Sequence, residues 1–291
     1  MSALTQAVDV QLTRRPQTVN RHDFRTAGLI ASNSGMDDVA FGSNPGQWPL
    51  PRATTPRDLW LRAVAAGGQG HYGCALTDLD RLQRLAKHGP LASLACSTRA
   101  SFLRQLGWHD RARSLDGQAL TLADGVAAPA ADALIGLAAD ALGVGRFAAS
   151  ARALQRAAGL VADSAAARLP VRFAWVSAEL AMASGDGLAA VDCAEHATRL
   201  AVALGSARHT VKSRVILAAA RCSAGDVGGS RREAAEALEQ TELFGLVPLR
   251  WAVASLLADL GSEHHSDAEI IAIRDASAET VIRRGGVWRP R

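Results

Sequence analysis

Three of the six tryptophans, Trp60, Trp175 and Trp251, each stand ten residues before a glycine: Gly70, Gly185 and Gly261. Thirteen residues before glycines of the same series stand three cations, Arg57, Arg172 and Lys212. The other residues at these two offsets are Ser97, Ile135 and Val215, and Leu94, Asp132 and Pro248. Positions six and three before the glycines add Ser101, Arg104, Glu179, Met182 and Cys222. Indole rings beside cations suit non-covalent recognition of a peptide with apolar anchors and acidic groups. Tryptophan and arginine are the side chains that most often carry interface energy. A register slip of one residue instead places the same tryptophans between helices as packing, and both readings stand at this point.

Covalent and metal chemistry find no comparable set. The chain has no GxSxG, HExxH, P-loop or dinucleotide-binding glycine motif. Glu263-His264-His265 is the densest group of metal-ligand types, and it falls in an expected loop between helices. Cys193 and His196 share one helix face, but two ligands do not close a structural zinc site, which takes four. The four cysteines, Cys74, Cys96, Cys193 and Cys222, are far apart and form no CxxC, so they read as small buried hydrophobes in a reducing compartment. No catalytic residue, metal or cofactor is expected.

The elements that would position a recognition face come from a repeat. Gly70, Gly107, Gly145, Gly185, Gly225 and Gly261 follow one another at steps of 37, 38, 40, 40 and 36 residues. Seven residues before each stands an alanine: Ala63, Ala100, Ala138, Ala178, Ala218 and Ala254. Five after the first five stand Ala75, Ala112, Ser150, Ala190 and Ser230, and twelve after stand Leu82, Ala119, Ala157, Ala197 and Ala237. The chain holds 60 alanines, so single matches mean little, but three small positions in fixed register argue against accident. Helices packed closely as a hairpin cross where side chains are small, and glycine supplies the turn between them.

This arrangement resembles the tetratricopeptide repeat over about residues 56–261, in degenerate units. The closest unit runs from Ala100 to Ala119 and contains Gly107-Trp108-His109-Asp110-Arg111-Ala112. Its period is longer than the family's 34 residues, and the proline that closes a unit there is mostly missing, with Pro90 and Pro129 near that place. The resemblance implies an all-α, right-handed α-solenoid of about five to six helical hairpins. It also implies that the first helix of each hairpin lines a concave groove. The partner-binding candidates are then Arg57, Trp60, Ser101, Arg104, Arg172, Trp175, Glu179, Lys212 and Trp251.

The helical spacing predicts hairpins over 56–67 and 71–87, 91–106 and 108–123, 129–143 and 146–162, 167–183 and 187–204, and 208–223 and 228–243. A further first helix covers 248–260. Thr55-Pro56 reads as an N-cap with proline in the first turn, and Ser266 with Glu269 as a capping box for a last helix, 267–284, the C-terminal cap. Residues 1–55 are rich in breakers, among them Gly42-Ser43-Asn44-Pro45-Gly46 and Pro49-Leu50-Pro51. They are expected to be irregular or disordered, with the alternative that Phe41, Trp48 and Leu50 dock them along the groove as an internal blocker. Residues 285–291 are expected to be a mobile tail.

Composition agrees with closely packed helices: 48% hydrophobic residues but only 4% aromatic, with alanine filling the difference. No apolar run is long enough for a membrane span, and the first twenty residues lack the apolar stretch of a secretory signal. The net charge of +4 comes from 30 arginines and two lysines scattered along the chain. That scatter, with the arginine bias of a GC-rich genome, does not favour a nucleic-acid partner. The expected function is a cytoplasmic, non-enzymatic scaffold that binds a peptide or partner protein. The alternative is a stand-alone regulatory sensor of a small ligand or signalling peptide. Oligomeric state is left open.

Overall fold

A computed structural model describes residues 34–290, and expectations for residues 1–33 fall outside that range. The described residues form thirteen α-helices and no strand. They are α1 (Ser34–Phe41), α2 (Pro56–Gly68), α3 (Tyr72–Leu85), α4 (Pro90–Gln105), α5 (His109–Leu122), α6 (Ala127–Gly143), α7 (Phe147–Ala162), α8 (Arg168–Ala183), α9 (Gly187–Leu204), α10 (Ala207–Ser223), α11 (Val227–Leu243), α12 (Val247–Leu260) and α13 (Asp267–Arg283). Successive helices from α2 onward pack as neighbours, and the even-numbered helices α2 to α12 also pack one against the next.

The small positions explain this packing. All six alanines seven residues before the glycines are fully buried, as are the residues five and twelve after. Of the two serines at such places, the Ser230 hydroxyl donates to the Ala218 carbonyl at 2.7 Å, while the Ser150 hydroxyl finds no partner among the described residues. The first five glycines end their helices with positive φ, 74° at Gly145, for example. At each of them the next residue's N–H reaches back to the last helical turn, as in Arg146 N to Ala141 O at 2.8 Å. Both expected caps form: Thr55 with Asp58 on α2 and Ser266 with Glu269 on α13.

Two terminal segments differ from expectation. Within 34–55, expected to be irregular, Ser34–Phe41 is helical and buries Met36, Val39 and Ala40. The reason is tertiary: an eight-residue helix is too short to persist alone and is held by what it packs on. The segment after Gly285, expected to be mobile, is bound. Gly73 N–H donates to the Arg284 carbonyl (2.9 Å), Arg289 N–H to the Leu106 carbonyl (2.9 Å) and the Trp108 indole to the Val287 carbonyl (2.7 Å). The Arg284 guanidinium donates to the Gln69 carbonyl at 2.7 Å, and Val281 is buried beside Tyr72 in one cluster. The last helix and its tail therefore pack on the turns of the first two pairs.

Candidate functional site

The face formed by the even-numbered helices is where the sequence candidates gather, and it is covered by α1. Phe41, at the end of α1, lies 5.5 Å from the Trp60 ring and 6.0 Å from the His209 ring. The Arg168 guanidinium lies 5.6 Å from both the Phe41 and Trp60 rings. At the rim Arg57 grips Asp37 of α1 through two hydrogen bonds, 3.0 and 2.7 Å. The Asp37 carboxylate holds this guanidinium above its ordinary range, against the opposing effect of burial. Beyond α1 the chain stays attached. Ala207 N–H donates to the Gly42 carbonyl (3.0 Å), and the Gln69 amide donates to the carbonyls of Pro45 (2.7 Å) and Gln47 (3.0 Å). The Trp48 ring stacks on His71 at 3.8 Å, and burial together with the Arg284 charge pushes the His71 imidazole down to about 4.

The tryptophans serve both readings of the sequence. The Trp60 indole donates to Thr98 Oγ1 (3.0 Å) and the Trp175 indole to Ser213 Oγ (2.8 Å). Each bond reaches the next even-numbered helix, so these rings pack between helices. Their inner edges still meet the covered face: Trp60 touches Phe41, and Trp175 stacks on His209 at 5.2 Å. Trp251 does neither; it lies against Trp288 of the C-terminal tail, 4.4 Å away. Ser101 turns its hydroxyl back to the Thr98 carbonyl of its own helix.

Five cations line the interior of this face. Arg104 is committed to the fold. It pairs with the fully buried Asp116 (2.9 Å) and Asp140 and donates to the Gly136 carbonyl (3.1 Å). Burial, and after it the neighbouring Asp116 carboxylate, pushes Asp140 up to about 7 despite Arg104. Asp132 of α6 pairs with both Arg168 (2.6 Å) and Arg172 of α8. Arg208 and Lys212 stand one step of forty residues further on, at the equivalent places of α10. Among the described residues Arg208 reaches only the Ala40 carbonyl, at 3.4 Å, and its Nε has no hydrogen-bond partner. The Lys212 ammonium lies 4.4 Å over the Trp175 ring.

The cations weaken one another. Burial brings Arg168, Arg172 and Arg208 down to about 10, reinforced at Arg172 by Arg104 and at Arg208 by Arg168. Lys212 falls to about 8 through burial, with Arg172, Arg104 and Arg208 acting the same way and Glu179 against them. The Arg168 and Arg172 side chains keep 12% and 20% of their surface accessible, so they are not sealed in the core. His209, buried among these charges, is held well below its ordinary value, and its Nδ1 shares a 2.8 Å hydrogen bond with Ser206.

The arrangement thus brings together Arg57, Trp60, Arg172, Trp175, Glu179 and Lys212. It commits Arg104 to an internal ion-pair network and covers Trp251 with the tail. Arg168, Arg208 and His209 were missed, whereas Phe41 stood only in the alternative that the N-terminal segment docks along the groove. The equal spacing of 168 and 172 with 208 and 212 was a signal that could have found two of the missed groups, Arg168 and Arg208.

Among the described residues no group of three metal-ligating side chains forms, and no helix is long and apolar enough to cross a membrane. Cys74, expected to be buried, is exposed, because it falls on the outward side of α3. In comparison with known proteins, the chain matches no protein-family model and no curated sequence.

Proposed function

We propose that this chain is a non-enzymatic interaction scaffold, a TPR-like right-handed α-solenoid of five to six hairpins capped by α13, that binds a peptide or partner protein on its concave face. One observation carries the reading: that face already accepts a short amphipathic helix. α1 supplies Met36, Val39, Ala40 and Phe41 as apolar anchors and Asp37 as an acidic contact for Arg57. The partner segment would share that chemistry and replace α1, so the chain at rest is its own competitor.

The test is affinity capture from native lysate. Wild type is compared with Met36→Ser/Phe41→Ala, which loosens α1, and with Trp60/Trp175/Arg172→Ala, all verified as folded by circular dichroism. The expected result is more partner on the loosened variant and none on the triple variant. Identical capture by all three overturns the reading. A second reading, a stand-alone sensor of a small ligand, is favoured by the interior cations Arg208 and Lys212, which no carboxylate pairs among the described residues.

A further inference from the structure

We propose that the interior between α8 and α10 is a binding site for a phosphate group, held by Arg172, Arg208 and Lys212. The proposal rests on taking the inner face as the binding surface, but it concerns a ligand chemistry and needs no protein partner.

The geometry is a square of cations. Arg168 and Arg172 are four residues apart on α8, and Arg208 and Lys212 are four apart on α10. Like charges at that spacing repel and weaken a helix. Here the repulsion is repeated on two adjacent helices inside the protein, where water screens it least. Asp132 compensates one side of the square by joining Arg168 to Arg172. On the other side the Arg208 Nε has no hydrogen-bond partner among the described residues, and the Lys212 ammonium, which feels the Glu179 carboxylate but forms no ion pair with it there, lies over the face of Trp175. Partly buried cations without an ion pair among the described residues, one of them with its Nε orphaned, are better explained by an anion they receive.

The class of anion follows from the donors. Two guanidinium forks and an ammonium, contributed by two helices, offer more donors than one carboxylate can use. A phosphate carries up to two charges and three strong acceptor oxygens, and guanidinium groups bind it through paired hydrogen bonds. In the chain at rest the nearest substitute is the C-terminal end of α1, whose Ala40 carbonyl faces Arg208 at a long 3.4 Å. Helix C-termini carry partial negative charge, so α1 presents the right sign but too little of it. Trp175 and His209, stacked at 5.2 Å, lie beside these cations.

The experiment is thermal unfolding and tryptophan fluorescence of the full chain at pH 7 and constant ionic strength. Inorganic phosphate, phenyl phosphate and a phosphoserine peptide are titrated in separate arms. The expected result is a saturable rise in Tm with quenching, weakened about tenfold to a hundredfold in Arg208→Met and Lys212→Met and largely restored in Lys212→Arg. Without ligand, both Met variants should melt at or above wild type, because each removes a partly buried cation from a group of like charges. Saturation by inorganic phosphate alone identifies a free phosphate ligand, whereas a clear preference for the peptide identifies a phosphorylated side chain. The proposal is overturned if no arm saturates, if the Met variants respond like wild type, or if they melt well below it. None of these results bears on whether a protein partner binds the apolar part of the face.

Discussion

Arg168 and Trp60 meet face to face across the inner surface, the guanidinium 5.6 Å from the ring, although they belong to helices far apart in the chain. Phe41 completes the contact, sharing the same guanidinium at 5.6 Å. Three elements, α1, α2 and α8, are therefore joined at one point, and α1 depends on it most.

Phe41→Ala should release α1 without unfolding the rest. Phe41 is only partly buried, so the cost should be about 1–2 kcal/mol, less than the 3–5 of a fully buried phenylalanine. Urea unfolding measures the loss, and hydrogen exchange should show the amides of 36–42 opening first. Unchanged protection there would mean that Asp37 and the Gln69 contacts hold the segment without the ring.

Arg104→Met should be among the most damaging single changes. It strands Asp116 and Asp140, both fully buried, with their charges uncompensated. Breaking such a group by removing one partner costs about 3–5 kcal/mol. Equilibrium denaturation would register this as a large fall in the urea midpoint. Arg172→Met should cost less, because Arg168 remains to hold Asp132.

Lys212 sets a pH dependence whose sign is fixed. Its ordinary value is 10.5 and the fold brings it to about 8. Between those values the unfolded chain binds the proton that the folded chain has released, so stability rises with pH across that window. Below pH 8 both forms are charged and the full cost of burial is present. Wild type should therefore gain in Tm relative to Lys212→Met between pH 8 and 10. His209 follows the same rule lower down: relative to His209→Gln, wild type should lose stability as pH falls below about 6.5.

Trp288→Ala should loosen the tail, which rests on Trp251 and, through Arg289 and Val287, on Leu106 and Trp108. The expected sign is faster amide exchange at Arg289, whose N–H is held by the Leu106 carbonyl, and a modest fall in Tm. If exchange there does not change, the neighbouring backbone bonds suffice.

The helical framework was legible because its cause is local. Alanine seven residues before a glycine, a small residue five after and another twelve after are enough to place two crossing helices, and all these positions are buried. The face was half legible. The offset of Trp60 and Trp175 put them on the correct helices, but their bonds to Thr98 and Ser213 depend on how adjacent helices sit in register. α1 was hidden for a different reason. Its short helix lies beside turn-forming residues, and what fixes it comes from Trp60, Arg168 and His209, which local periodicity does not connect. The tail was hidden likewise, since Trp108 and Val287 meet only once every unit between them is stacked.

A linear array of helix pairs has two ends, each with a single neighbour, and it frays from them. This one joins its ends. Arg284 bonds to Gln69, and Arg289 to Leu106, so the last pair borrows its missing neighbour from the first. Among the described residues, opening the first or the last pair therefore breaks hydrogen bonds that an end with a single neighbour would not have. An extra unit would have to separate Arg284 from Gln69 and Arg289 from Leu106.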